Sequence, residues 1–150
     1  MATRTVLIAG ASGLVGYAGG GHFARQPGWK VVAVSRRLPE GLDGVELISV
    51  DLTDRDRSAE VFGSMRSVTH LVYAALFEKP GLFRGWREPD QMETNQRMLE
   101  NLFEPLRRAP TGLRHVTLLQ GTKAYGAHLG PIAIPARERA PRHRHANFYW

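Results

Sequence analysis

Apolar residues along this chain alternate between two periods. Thr5-Val6-Leu7-Ile8-Ala9 is a short β-branched run that ends at a glycine, the pattern of a strand buried on both faces. Lys30-Val31-Val32-Ala33-Val34, Val45 to Val50, Val68 to Ala74 and Arg114 to Leu119 repeat that pattern and predict four more strands. Helical stretches fall between them. Leu14 to about Gln26 predicts a helix stopped by Pro27-Gly28. Arg55 to Met65 predicts a short one, with Ala59, Val61, Phe62 and Met65 apolar. In Pro89 to Arg108 the residues Met92, Met98, Leu99, Leu102, Phe103 and Leu106 form an amphipathic stripe, and Pro110 with Gly112 ends it. Leu38 to Gly44 reads as a loop.

Strands alternating with helices imply a parallel sheet with right-handed crossovers. The expected fold class is therefore α/β: a three-layer, doubly wound, Rossmann-like sheet of strand order 3-2-1-4-5. The expected division is a nucleotide-binding domain over 1–125 and an irregular segment over 126–150, with Pro131, Pro135 and Pro141, leading to a substrate-binding part beyond it. The three terminal aromatics Phe148-Tyr149-Trp150 are costly to leave in water and suggest that more protein packs there. Gly19-Gly20-Gly21 sits inside the first helix and weakens it locally, since each glycine costs about 0.5–1 kcal/mol relative to alanine.

Composition narrows the function classes. The 150 residues are 43% hydrophobic and 23% charged, as in a globular domain. The absence of cysteine excludes a disulfide scaffold, a thiolate metal site and a cysteine nucleophile. No apolar run approaches the roughly 18–20 residues that span a bilayer, so no membrane partner is expected. The N-terminus carries no signal-peptide pattern, which makes the cytoplasm the expected compartment. A net charge of +6 permits nucleic-acid binding, but the basic residues are dispersed and no recognition motif accompanies them. The charge equally suits a polyanionic cofactor.

Gly10-Ala11-Ser12-Gly13-Leu14-Val15-Gly16 follows the first strand and opens the first helix. Free helix N–H groups and the helix dipole make such a turn an anion site, and glycine lets a pyrophosphate approach the backbone. The alternative is a tight structural turn. The second strand ends in Ser35-Arg36-Arg37 where an NAD site would place an acidic residue. Two guanidinium groups and a hydroxyl suit a 2′-phosphate, so NADP(H) is the expected cofactor, against a solvated basic turn. Asp51-Leu52 closes the third strand, either at the adenine edge or as a cap before Asp54. Ala74-Ala75 ends the fourth, either to let the ribose pass or simply as close packing.

No tyrosine is followed four residues later by lysine, so the common short-chain dehydrogenase pair is absent. Gln120-Gly121-Thr122-Lys123 instead follows the fifth strand, where ligands of open parallel sheets sit. Lys123 there reaches either a nicotinamide ribose or a substrate oxygen, or is a surface lysine. The run Arg142-His143-Arg144-His145 reads as a solvated loop; its two histidines two apart suggest a metal site, but no further ligand is nearby.

The glycine turn, Ala33 to Arg37, Val68 to Tyr73, the segment around Asn95, Gln120 to Lys123 and Asn147-Phe148-Tyr149-Trp150 occur in family order. Together they resemble the progesterone 5β-reductase/iridoid synthase family, an atypical branch of the short-chain dehydrogenases, in its bacterial form. Plant members carry histidine and tyrosine after the lysine, where this chain has Ala124 and Tyr125. The resemblance implies NADPH-dependent reduction of an activated carbon–carbon double bond, with Lys123 and Tyr149 catalytic and Gln120 beside the cofactor. It also implies a small enone or carbonyl substrate, leaves homo-oligomerisation open, and implies that these 150 residues alone turn over little. A carbonyl reductase or sugar-nucleotide epimerase, and a non-catalytic cofactor-binding module, are the competing readings.

Overall fold

The structure is a computed structural model, and it describes residues 4–81 and 85–146. Five strands form one parallel sheet of order β3-β2-β1-β4-β5: β1 (Arg4–Ala9), β2 (Trp29–Ser35), β3 (Val45–Ser49), β4 (His70–Tyr73) and β5 (His115–Leu118). The order is the expected one, and each strand boundary lies within two residues of its expected place. β1 is central, with Val6 to Ala9 paired to Val31 to Val34 on one side and to His70 to Tyr73 on the other. Helices between the strands include α1 (Leu14–Ala24), α2 (Arg55–Gly63) and α3 (Pro89–Arg108).

Alternation along the strands divides the core into two layers. Leu7, Ala9, Val32, Val34, Leu71 and Tyr73 pack with Val61 and Phe62 of α2 and with Leu102 and Leu106 of α3. Val6, Ile8, Val31 and Ala33 face the opposite way and meet Phe23 and Ala24 of α1. The central strands β1 and β2 are thus covered on both faces, which is why they read as unbroken apolar runs. Each large side chain buried here contributes about 1.5–3 kcal/mol.

The chain separates into two compact units. One comprises the chain to Leu76 together with Arg97–Leu119, and contains the sheet. The other comprises Phe77–Gln96 and the chain from Gln120 onward. In the second unit Thr122–Tyr125 forms a single 3₁₀ turn closed by Gly126 at φ +79°. Among the described residues, no helix is long and apolar enough to cross a membrane.

Candidate functional site

The glycine turn is built so that two of its members cannot carry a side chain. Gly10 adopts φ +89°, and a Cβ there would lie 2.7 Å from the Ala75 nitrogen and 2.8 Å from the Ala74 carbonyl. A Cβ on Gly16 would lie 2.1 Å from the Gly10 oxygen. The Ala74-Ala75 end of β4 therefore passes directly against the turn. The N–H groups of Gly10 and Ala11 both donate to the Val34 carbonyl, at 2.9 and 3.1 Å, tying the turn to the end of β2. Gly13 is the extended N-cap of α1 and supplies no capping side chain, and no acidic residue sits in the first helical turn. Such an end presents N–H groups and partial positive charge without a built-in anion. Ser12, Gly13, Leu14 and Val15 are exposed, Leu14 to 89%.

Ser35 is buried at the end of β2, and its hydroxyl donates to the Arg37 carbonyl. That hydroxyl shapes the turn on which both arginines stand. The Arg36 carbonyl accepts from Ser49 Oγ at 3.1 Å, so the turn is fastened to β3 as well. Arg36 and Arg37 are both exposed. Asp51 accepts from the Thr53 N–H at 2.9 Å and the Thr53 hydroxyl at 2.7 Å. Burial opposes its charge, but those two bonds and the nearby Arg36 guanidinium hold the carboxyl below the usual carboxylate range. The cap of α2 is Asp54, which accepts from the Arg57 N–H at 3.0 Å. The Leu52 side chain lies in the core, and its carbonyl accepts from Asn101 Nδ2 at 2.8 Å.

Gln120 and Lys123 belong to the second unit. Gln120 is exposed, and Gly121 caps the 3₁₀ turn that carries Lys123. The Lys123 ammonium lies 3.9 Å from the centre of the Trp86 ring and 4.0 Å from Glu78 Oε1. Tyr149 lies outside the described residues, as do Asn147, Phe148 and Trp150.

Sequence reasoning missed Glu78, Trp86 and Gln91, and gave Asn95 no role. Asn95 is fully buried: its Oδ1 accepts from the Phe77 N–H, and its Nδ2 donates to the carbonyls of Phe77 and Gln91. Gln91, also fully buried, accepts from the Lys79 N–H at 2.8 Å. The available signal was two amides four residues apart, in line with the apolar stripe of α3. His128 is buried, with no partner for Nδ1 among the described residues; burial, then the charges of His145, Lys123, Arg87 and His143, lower its pKa from the ordinary histidine value. Among the described residues, no group of three or more His, Cys, Asp or Glu could hold a metal ion.

Known proteins agree with this architecture. The chain is 26% identical to an (S)-8-oxocitronellyl enol synthase of Antirrhinum majus over 92% of its length, covering 38% of that protein. It is 29% identical to a dTDP-4-dehydro-6-deoxy-D-allose reductase of Streptomyces sp over 84% of its length, covering 40% of that protein. The chain thus spans about two fifths of these curated relatives. Among solved structures, a short chain dehydrogenase family protein of Francisella tularensis matches 77% of the chain and 50% of its own, with TM-score 0.60 at 15% identity. A putative short-chain dehydrogenase/reductase of Burkholderia multivorans with bound NADP matches 73% and 54%, with TM-score 0.58 at 22% identity. These structural likenesses extend to the fold. The family profile described as the NAD dependent epimerase/dehydratase family matches residues 6–149, and the chain belongs to that family.

Proposed function

We propose that this chain is the cofactor-binding portion of an NADPH-dependent oxidoreductase that reduces the carbon–carbon double bond of an activated enone. The observation that carries the reading is the glycine turn. Gly10 and Gly16 leave no space for a Cβ, and the bare N-terminus of α1 offers N–H groups to an anion. A dinucleotide pyrophosphate fits that donor set. Arg36 and Arg37, exposed beyond the Val34 carbonyl that anchors the turn, fit a 2′-phosphate. The Burkholderia structure, with its bound NADP, supports a nicotinamide cofactor.

Bound NADPH would supply the hydride that reaches the β-carbon. The electron pair of the double bond then moves onto the carbonyl oxygen as an enolate, and a proton taken up at the α-carbon completes the saturated carbonyl product. In this reading Lys123 and Tyr149 donate hydrogen bonds to that oxygen, each worth roughly 2.7–4 kcal/mol of transition-state stabilisation. The likeness to enol synthases supports this chemistry. A second reading, reduction of a sugar-nucleotide carbonyl, is favoured by the likeness to the Streptomyces reductase.

Product analysis separates them. In a longer chain that carries the substrate-binding part, incubation with NADPH and an α,β-unsaturated aldehyde should yield the saturated aldehyde, with Lys123→Met and Tyr149→Phe slowed while NADPH still binds. An allylic alcohol, or turnover of keto-sugar nucleotides alone, would favour the second reading.

A further inference from the structure

Lys123 stands in a closed triangle. Its ammonium lies 3.9 Å from the centre of the Trp86 indole and 4.0 Å from Glu78 Oε1. The same carboxylate oxygen accepts the Trp86 Nε1–H at 2.8 Å. The indole N–H therefore fixes the carboxylate, while the indole face and the carboxylate together hold the ammonium. Trp86 is 3% exposed and packs with Met92. The side chains of Lys123 and Glu78 stay 28% and 35% exposed, so the ammonium keeps an open side.

The backbone under Glu78 is itself held. Both polar groups of Phe77 are bonded to Asn95, and the Lys79 N–H donates to Gln91, so two buried amides of α3 brace the residues flanking Glu78. A lysine stem carries about 2 kcal/mol of rotamer entropy. The triangle removes much of that freedom before any substrate oxygen arrives, which is the condition for a donor to act at full strength.

We infer that Glu78 and Trp86 are positioning residues that aim the Lys123 ammonium at the substrate oxygen. This rests on the catalytic reading of Lys123 given above. Neither residue touches the reacting atoms in this account. Both act through Lys123.

The direct readout is the side-chain NMR of the lysines, labelled with ¹³C, Lys30 and Lys79 being the others in the chain. The Lys123 ε-methylene protons should resonate upfield of both, under the indole ring current. Trp86→Leu should abolish the shift and Trp86→Phe should keep part of it. Glu78→Gln, which keeps an oxygen to accept the Trp86 N–H but removes the charge, should reduce it. In turnover with NADPH and an enone by a longer chain that carries the substrate-binding part, Glu78→Gln should lower kcat roughly ten- to a hundredfold with KM little changed. It should cost nothing further in a Lys123→Met background, a non-additivity that a merely structural role would not give. Lys123 protons at the ordinary position in the unaltered protein would overturn the inference. So would a Glu78→Gln variant with unchanged shift and turnover. Full turnover by Lys123→Met would overturn the catalytic reading, and this role with it; the persisting wild-type shift tells that result from a failed triangle.

Discussion

Gly16 sits so close to Gly10 that a single added carbon would lie 2.1 Å from the Gly10 carbonyl oxygen. Backbone rather than a flexible side chain occupies that space, so the clash cannot be relieved by a rotamer change. Gly16→Ala should destabilise the fold by about 1–3 kcal/mol, the usual cost of overpacking, and weaken dinucleotide binding further by moving the turn. Chemical denaturation and NADPH titration of the same variant check both effects.

Gly19 is the opposite case. It lies inside α1, and among the described residues a Cβ there would meet Ile8 Cδ1 at 3.7 Å, an ordinary contact. Gly19→Ala should raise the unfolding free energy by about 0.4–1 kcal/mol through the unfolded chain's lost freedom. Unchanged or lower stability in urea titration would mean that α1 needs glycine there for a reason absent from its packing.

Strands β1 and β2 were legible because both their faces are covered, which imposes unbroken apolar runs such as Val31 to Val34. Helix α3 was legible to its end residues because one face meets the core through Leu102 and Leu106. The glycine turn could be read because φ and close approach admit no other residue at Gly10. The surroundings of Lys123 could not. Glu78 and Trp86 lie 45 and 37 positions earlier in the chain, in a stretch without periodicity, and only the fold brings them to the ammonium. Asp51 remained ambiguous because an acidic residue after a strand serves a turn and a ligand equally well, and here it bonds Thr53.

Asn95 offers a test of the brace. Asn95→Leu would leave the half-buried Phe77 N–H and carbonyl without their partner, at a cost of up to about 1–3 kcal/mol for each group left unsatisfied. Denaturation should show that loss. A neutral outcome would mean that water replaces the amide.

Two histidines give a pH dependence. Burial lowers the pKa of His128 and of His70, aided by neighbouring positive groups: His145, Lys123, Arg87 and His143 for the first, His115, Arg4 and Arg114 for the second. Their protonation favours the unfolded chain, so the stability they confer is fully present above about pH 6.5 and is lost as pH falls through that value toward the folded pKa. Unfolding free energy should decline between about pH 7.5 and 5.5, and His128→Gln with His70→Gln should flatten the decline. A flat profile in the unaltered protein would contradict it.

The most direct measurement is a fluorescence titration of the unaltered protein and of Arg36→Glu with NADPH and with NADH. NADPH should bind the unaltered protein more tightly than NADH. Arg36→Glu should abolish or reverse that preference, by about 1.5–3 kcal/mol, roughly ten- to a hundredfold in affinity. An equal affinity for both cofactors, or a ratio that Arg36→Glu leaves untouched, would contradict the NADP(H) reading.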